Sequence, residues 1–166
     1  MSAEWVCATC GERHGELPLC FGSDAPWREL VPEAELAERV ELSDDVCVVD
    51  GKVFFVRGHI EIPIVGTEKT FAWSVWCSLS KKSVVHMYER WNDDDRDGDG
   101  YFGWLSTPLP MYPNTVGLKT NVRSRSVGVV PLVEVQECDH PLFVEQRNGM
   151  TINRWYELAH ALLGKS

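Results

Sequence analysis

The chain has 166 residues, 44% of them hydrophobic and seven of them tryptophan, enough apolar surface for the core of one domain. Its formal net charge of −9 disfavours general binding to the phosphate backbone of nucleic acids. The longest apolar run, residues 127–133, is too short to span a bilayer. The N-terminus has neither a basic patch nor an apolar stretch typical of a signal peptide, so we expect a cytoplasmic protein with reduced thiols.

The first twenty residues contain four candidate metal ligands: Cys7, Cys10, His14 and Cys20. Cys7 and Cys10 form a Cys-x-x-Cys pair followed by Gly11, an arrangement in which two thiolates can point at one tetrahedral zinc ion. The spacing predicts a zinc-knuckle-like segment over residues 1–22, joined to a core over residues 23–166. Four protein ligands would make such a site structural rather than catalytic. A redox pair, or two surface thiols without a metal, are the alternatives.

The first half of the core predicts one helix followed by strands. Pro32 favours a helix start, with an apolar edge to about residue 41. From residue 46 the period changes to two, and residues 46–57 contain an Asp-Gly turn that predicts a hairpin. Strands are also predicted at residues 60–64, where isoleucines alternate, and at residues 71–79, where large apolar residues alternate.

The second half predicts a helix capped by Ser80, then three strands, then two helices. The strands are predicted at residues 101–105, 115–123 and 127–136. Asp139 and Thr151 are the expected caps of the last two helices, and a cap role also suits His140, which precedes Pro141 at the first of them. The order of elements predicts an α+β fold in a single domain, residues 1–166, with a mainly antiparallel sheet and flanking helices.

Several sequence motifs together carry a family resemblance. They are Cys7-x-x-Cys10-Gly11-x-x-His14, Asp45-Val46-Cys47-Val48, Phe54-Phe55-Val56-Arg57-Gly58, Trp73-Ser74-Val75-Trp76, Tyr112-Pro113-Asn114-Thr115 and His140-Pro141-Leu142. In this order they resemble the bacterial family called domain of unknown function 2199, over nearly the whole chain. The resemblance implies a cytoplasmic bacterial domain without an assigned reaction. It also implies that Cys47 completes the zinc ligands with Cys7, Cys10 and His14, in competition with Cys20.

A polar strand face is the second candidate site. Arg57, His59 and Glu61 alternate with isoleucines, so the three share one side of a strand. If this strand pairs with the one at residues 71–79, Trp76 lies beside the charged row. A large aromatic residue among mixed charges resembles the centre of a binding surface. The alternative is that a helix covers Trp76 and the charges pair across strands.

Two charged segments complete the candidates. Asp93, Asp95, Asp97 and Gly98 match part of a calcium-binding loop, but Trp104 stands where the bidentate glutamate belongs, which favours a solvated acidic loop. Lys119, Asn121, Arg123 and Arg125 alternate along a predicted strand. These cations could contact nucleic acid, although a solvated strand face is the simpler interpretation.

The sequence contains no nucleophile elbow, no phosphate-binding glycine loop and no helical His-Glu-x-x-His. We therefore expect an interaction or regulatory module, similar to an immunity protein, whose acidic surface suits a basic protein partner. One alternative is an enzyme that uses Arg57, His59 and Glu61, with His59 as general base. The other is a nucleic-acid binder that uses the knuckle and the basic strand.

Overall fold

The computed structural model describes residues 19–22 and 24–163, together with two short strands nearer the N-terminus. These strands are β1 (Trp5–Val6) and β2 (Arg13–His14), and they pair antiparallel. Cys7 and Cys10 lie outside the described residues, and so does the side chain of His14. The zinc ligands predicted there stay a prediction.

The described core begins with short elements. They are strand β3 (Cys20–Phe21), the 3₁₀ turns Pro26–Glu29 and Glu33–Glu35, helix α1 (Leu36–Arg39) and strand β4 (Val40–Leu42). The predicted helix start is confirmed, since Pro32 is the residue that precedes the second 3₁₀ turn. The helix is shorter than predicted, because Val40 takes an extended backbone and begins a strand.

The predicted hairpin is confirmed. Strand β5 (Val46–Val49) pairs antiparallel with strand β6 (Val53–Pro63). Asp50 and Gly51 form the turn with φ angles of 54° and 64°, a region that aspartate and glycine tolerate better than most residues. Ile60 and Ile62 belong to the same β6, which continues for 11 residues, and not to a separate strand, while Ile64 lies just beyond it in an isolated bridge to Met150.

A second long strand and a capped helix follow, both as predicted. Strand β7 (Thr70–Leu79) pairs antiparallel with β6 along almost its whole length. Helix α2 (Lys81–Glu89) begins after Ser80, whose Oγ accepts the backbone N–H of Ser83 at 3.1 Å.

The remaining elements are strands β8 (Gly100–Leu105), β9 (Lys119–Arg123) and β10 (Leu132–Val135), then helices α3 (Pro141–Asn148) and α4 (Ile152–Leu163). β9 and β10 are shorter than predicted. The cap of α3 is His140, whose Nδ1 accepts the N–H of Leu142 at 3.0 Å, and not Asp139. Thr151 caps α4 as predicted. Within the described residues, no helix combines the length and apolar character needed to cross a membrane.

Five strands close into a barrel in the order β6, β7, β8, β9, β10 and back to β6. Neighbours are antiparallel except at the closure, where β10 runs parallel to β6. Gly58 permits this closure, because a Cβ there would lie 2.5 Å from Val133 Cγ2 and 3.0 Å from the carbonyl oxygen of Pro131. The α+β class and the mainly antiparallel pairing are confirmed, but the prediction did not include the closure into a barrel.

The barrel interior is the main core. It is filled by the apolar side of the barrel strands and by residues of helices α3 and α4. Its members include Ile60, Ile62, Phe71, Trp73, Val75, Val122, Val133, Leu142 and Leu158. This is the face of residues 71–79 that the period of two predicts.

A second apolar cluster lies on the outer side of the barrel. It consists of Ala25, Trp27, Val31, Val40, Cys47, Val49, Phe55 and Trp76. Trp27 and Val31 come from the segment before β4, so this segment covers the outer faces of β5, β6 and β7. The cover decides which outer residues remain available for binding.

Candidate binding face

The predicted polar row lies on the outer face of β6. Arg57, His59 and Glu61 alternate with the buried Gly58, Ile60 and Ile62. In the β6–β7 ladder, Arg57 is directly opposite Trp76, and His59 is opposite Ser74. The predicted proximity of Trp76 to the charged row is confirmed.

Trp76 is nevertheless only 4% exposed. It packs in the second apolar cluster with Trp27, which the 3₁₀ turn Pro26–Glu29 places over this part of the sheet. Its backbone N–H donates to Thr107 Oγ1 at 2.8 Å. The aromatic residue expected at the centre of a binding surface is therefore a core residue, because a neighbouring segment covers it.

Arg57 holds the loop before β5 against the barrel. Its Nε donates to the carbonyl oxygen of Asp44 at 2.6 Å, and one terminal nitrogen lies 3.5 Å from the Asp45 carboxylate. The other terminal nitrogen donates to Ser74 Oγ at 3.3 Å. Arg57 also borders a surface cleft of about 640 Å³, whose other lining residues are Asp24, Ala25, Leu42, Ser43, Asp44 and Trp76.

His59 is half-buried in the middle of the row. Its pKa is lowered, chiefly by burial and further by the positive charges of Arg57 and Arg125, while Glu61 opposes the shift. The imidazole makes no hydrogen bond to any described residue. Because its pKa is lowered, the side chain is neutral near physiological pH. Among the described groups, no carboxylate orients the ring and no nucleophile is hydrogen-bonded to it.

Glu61 forms an ion pair with Arg125, at 2.8 Å. Arg125 in turn donates from Nε to the carbonyl oxygen of Val130 at 2.7 Å. Glu61 borders a cleft of about 420 Å³ between the barrel and α3, lined also by Pro63, Thr70, Leu132, Glu134, Val135, Phe143, Gln146 and Arg147. Arg57 and Glu61 thus open into different clefts, and the row does not converge on one pocket as the enzyme hypothesis requires.

The two competing cysteine ligands have different environments. Cys47 is fully buried in the second apolar cluster, and burial raises its pKa to about 11, which favours the neutral thiol. Cys20 is exposed at the edge of β7, and the positive charge of Arg57 partly offsets the rise in its pKa that burial causes. No group of three or more His, Cys, Asp or Glu side chains in the described part of the chain is arranged to hold a metal ion.

The acidic loop between α2 and β8 is organised by two arginines. Arg90 forms ion pairs with Asp93, Asp95 and Asp99. Arg96 is buried and donates to the carbonyl oxygens of Trp91, Arg125, Ser126 and Val129. Three carboxylates of this loop therefore face one guanidinium, an internal counter-charge that the solvated-loop interpretation did not include.

Sequence reasoning missed an acidic surface on the covering segment. Residues 24–45 contain eight carboxylates and two arginines, a net charge of −6 out of the total of −9. Leu30 and Leu42 are 46% and 51% exposed in the same segment. β4, near the end of this segment, is an outermost strand of the sheet, and among the described strands it pairs only with β5. A charge count over windows of the sequence would have found the carboxylates, but only the fold shows the open edge.

A further surface, formed by aromatic and basic residues of β8 and β9, was only partly predicted from the sequence. Phe102 and Trp104 project from β8, Asn121 and Lys119 lie opposite them on β9, and Arg123 follows on the same side of β9. The alternation along β9 predicted the last three correctly as one face. Arg125 does not join them, because it lies beyond the end of β9 and pairs with Glu61.

A family model described as "Uncharacterized protein conserved in bacteria (DUF2199)" matches residues 6–150. The chain belongs to this family. The assignment confirms the resemblance carried by the sequence motifs, and it names no reaction, ligand or partner for members of the family. No curated protein and no solved structure matched the chain.

Proposed function

We propose that this member of the family is an interaction module that captures a basic segment of a protein partner on the acidic surface of residues 24–45. The observation that carries the proposal is the concentration of charge: this segment holds most of the net negative charge and ends at an open sheet edge. We also propose a cytoplasmic location, in keeping with the free thiols of the four described cysteines.

Most carboxylates of this surface are available to a partner. Arg39 forms ion pairs with Glu35 and Asp50, and Arg28 forms one with Glu33. No cation among the described residues lies within ion-pairing distance of Glu38, Glu41 or Asp44. A basic segment would supply the missing counter-charges and gain attraction before contact, which speeds association.

The open edge of β4 explains how such a segment could be held. An outermost strand presents backbone donors and acceptors to a further extended chain. Leu42 lies on this strand and is half-exposed, and Leu30 is exposed in the same acidic segment. A basic partner that also carries apolar residues would therefore find both charge and apolar contacts here.

The test is a fluorescence-anisotropy titration with a labelled peptide of alternating lysine and leucine. The triple variant Glu38→Gln, Glu41→Gln, Asp44→Asn should weaken binding by about tenfold at low salt, and added salt should reduce the difference. The matched control is Glu68→Gln, Asp94→Asn, Asp139→Asn, which removes three exposed carboxylates elsewhere. Equal weakening by both triples would mean that only total charge matters, and absence of binding to the native protein would end the proposal.

Zinc held by Cys7, Cys10, His14 and Cys47 remains part of the proposal. The residue types suit a structural site, while the buried thiol of Cys47 would have to lose its proton to the metal. Elemental analysis of the purified protein, with Cys20→Ser and Cys47→Ser variants, tests it. Zinc retained by the Cys20 variant and lost by the Cys47 variant is the expected result, the reverse would reassign the fourth ligand, and a native protein without zinc would refute the site.

A further inference from the structure

The outer surface of β8 and β9 has a composition unlike the rest of this acidic chain. Its residues are Phe102, Trp104, Lys119, Asn121 and Arg123, which together we call the β8/β9 face. Phe102 and Trp104 are 47% and 44% exposed. Large aromatic side chains that remain this exposed on neighbouring positions of one strand form an apolar patch, which is informative about binding.

The geometry joins the two aromatic rings to the cations. The ring centroids of Phe102 and Trp104 are 5.1 Å apart with an interplanar angle of 87°. Lys119 is directly opposite Trp104 in the ladder, and its Nζ lies 6.0 Å from the centroid of the Trp104 ring. Asn121 is opposite Phe102, and Arg123 continues the same row.

The β8/β9 face lies beyond the edge of the acidic cover. The acidic segment covers β5, β6 and β7, and β9 is two strand positions from both β6 and β7. β8 pairs with β7 directly, but its outer residues Phe102 and Trp104 are not covered. Among the described residues, one carboxylate touches the basic row: Glu134 accepts the Asn121 amide N–H at 3.2 Å and lies 3.6 Å from Arg123. Lys119 remains available for an anionic group beside the aromatic rings.

We propose that the β8/β9 face binds single-stranded nucleic acid. Bases stack on exposed aromatic rings irrespective of sequence, and phosphates are attracted to lysine and arginine beside those rings. The face supplies both groups on two adjacent strands, whereas an acidic peptide would use the cations and leave the ring faces without a flat partner. The net charge of −9 repels phosphates, so the expected affinity is low. Binding depends on the local attraction of the cations in the β8/β9 face.

The test is a titration of the whole chain into a short fluorescein-labelled oligothymidylate at low salt, followed by anisotropy. Trp104→Ala should weaken binding by about tenfold, since one stacked base is lost, and Phe102→Ala should weaken it to a similar extent. Trp104→Phe keeps an aromatic face and should restore most of the affinity. Tyr88→Ala is the matched control, because Tyr88 is an exposed aromatic residue on α2 and should leave binding unchanged.

Lys119→Gln should weaken binding by several-fold and should reduce its dependence on salt, because one phosphate contact is removed. Lys52→Gln, at an exposed lysine of the β5–β6 turn, should change neither quantity. The proposal is overturned if the native chain does not bind the oligonucleotide, or if Trp104→Ala binds as well as the native chain. It is also overturned if a glutamate-rich peptide, or a second copy of the chain, occupies this face instead.

Discussion

The outer face of β6 and β7 and the outer face of β8 and β9 belong to the same barrel, and both carry a tryptophan among polar residues. Trp76 on the first face is 4% exposed, whereas Trp104 on the second is 44% exposed. The difference arises from one covering segment, which places Trp27 and Val31 over Trp76. Alternation along a strand therefore identifies which residues point outward, and the remainder of the chain decides whether they meet solvent.

The covered face should contribute mainly to stability. Trp76→Ala removes a buried indole from the second cluster and should lower the free energy of unfolding by about 3–5 kcal/mol. Trp104→Ala should cost about 1 kcal/mol or less, since its ring is already half in water. Urea unfolding of the two variants, monitored by far-ultraviolet circular dichroism, gives the comparison. Equal losses in the two variants would contradict the difference between the faces.

The second prediction concerns Arg96, whose hydrogen bonds stabilise the region next to the open face of β8 and β9. Its buried guanidinium ties the loop before β8 to carbonyl oxygens of the segment that follows β9. Arg96→Met leaves these partly buried carbonyl oxygens without their donor and should cost about 1–3 kcal/mol in unfolding free energy. Arg147→Met, at an exposed arginine on α3, is the control and should cost far less. Calcium should not rescue the Arg96 variant, and a rescue would revive the calcium-loop hypothesis.

The buried thiol of Cys47, in the cluster on the covered face, should make the free energy of unfolding depend on pH. Its pKa is about 11 in the folded protein without zinc, against an ordinary value of 9.0. The unfolded chain loses this proton first, so the contribution of the thiol to stability is complete below pH 9 and is lost as the pH rises towards 11. Urea unfolding of Cys47→Ala across this range should show a shallower decline than the native protein. Cys138→Ala, at an exposed cysteine, should show the native slope.

The smallest expected effect is the contribution of His59 to the pH dependence of stability. Because its pKa is lowered in the folded state, the unfolded chain binds a proton first as the pH falls. The stabilising contribution is therefore present above the ordinary histidine pKa and is lost as the pH falls through the lowered value. Proton NMR should report this lowered pKa, with His59→Gln used to assign the signal. Arg125→Gln should raise it, and a pKa at or above the ordinary histidine value would contradict the half-buried position of His59 beside Arg57 and Arg125.

The sequence was sufficient for the local elements. The period of two at residues 71–79 predicted the buried face of β7, and Ser80 and Thr151 predicted helix starts, because caps and alternation depend on neighbouring residues alone. The closure at Gly58 was not predictable in this way. It depends on the approach of Pro131 and Val133, which are distant in sequence.

The candidate sites show the same limit. The row Arg57, His59 and Glu61 was predicted correctly as one face, since register follows from alternation. Its ion pairs with Asp45 and Arg125 depend on a loop and on a segment beyond β9, which no local pattern reveals. Trp104 was considered only as a missing calcium ligand, because its exposure depends on the absence of a cover over the described part of β8.

Hydroxyl-radical footprinting with mass spectrometry measures the central difference directly, because oxidation of an indole follows its access to solvent. In the native protein, Trp104 should be oxidised much faster than Trp76. After unfolding in urea the two rates should become similar, which controls for intrinsic reactivity. Comparable oxidation of Trp76 and Trp104 in the native protein, or faster oxidation of Trp76, would contradict the account of one covered and one open face.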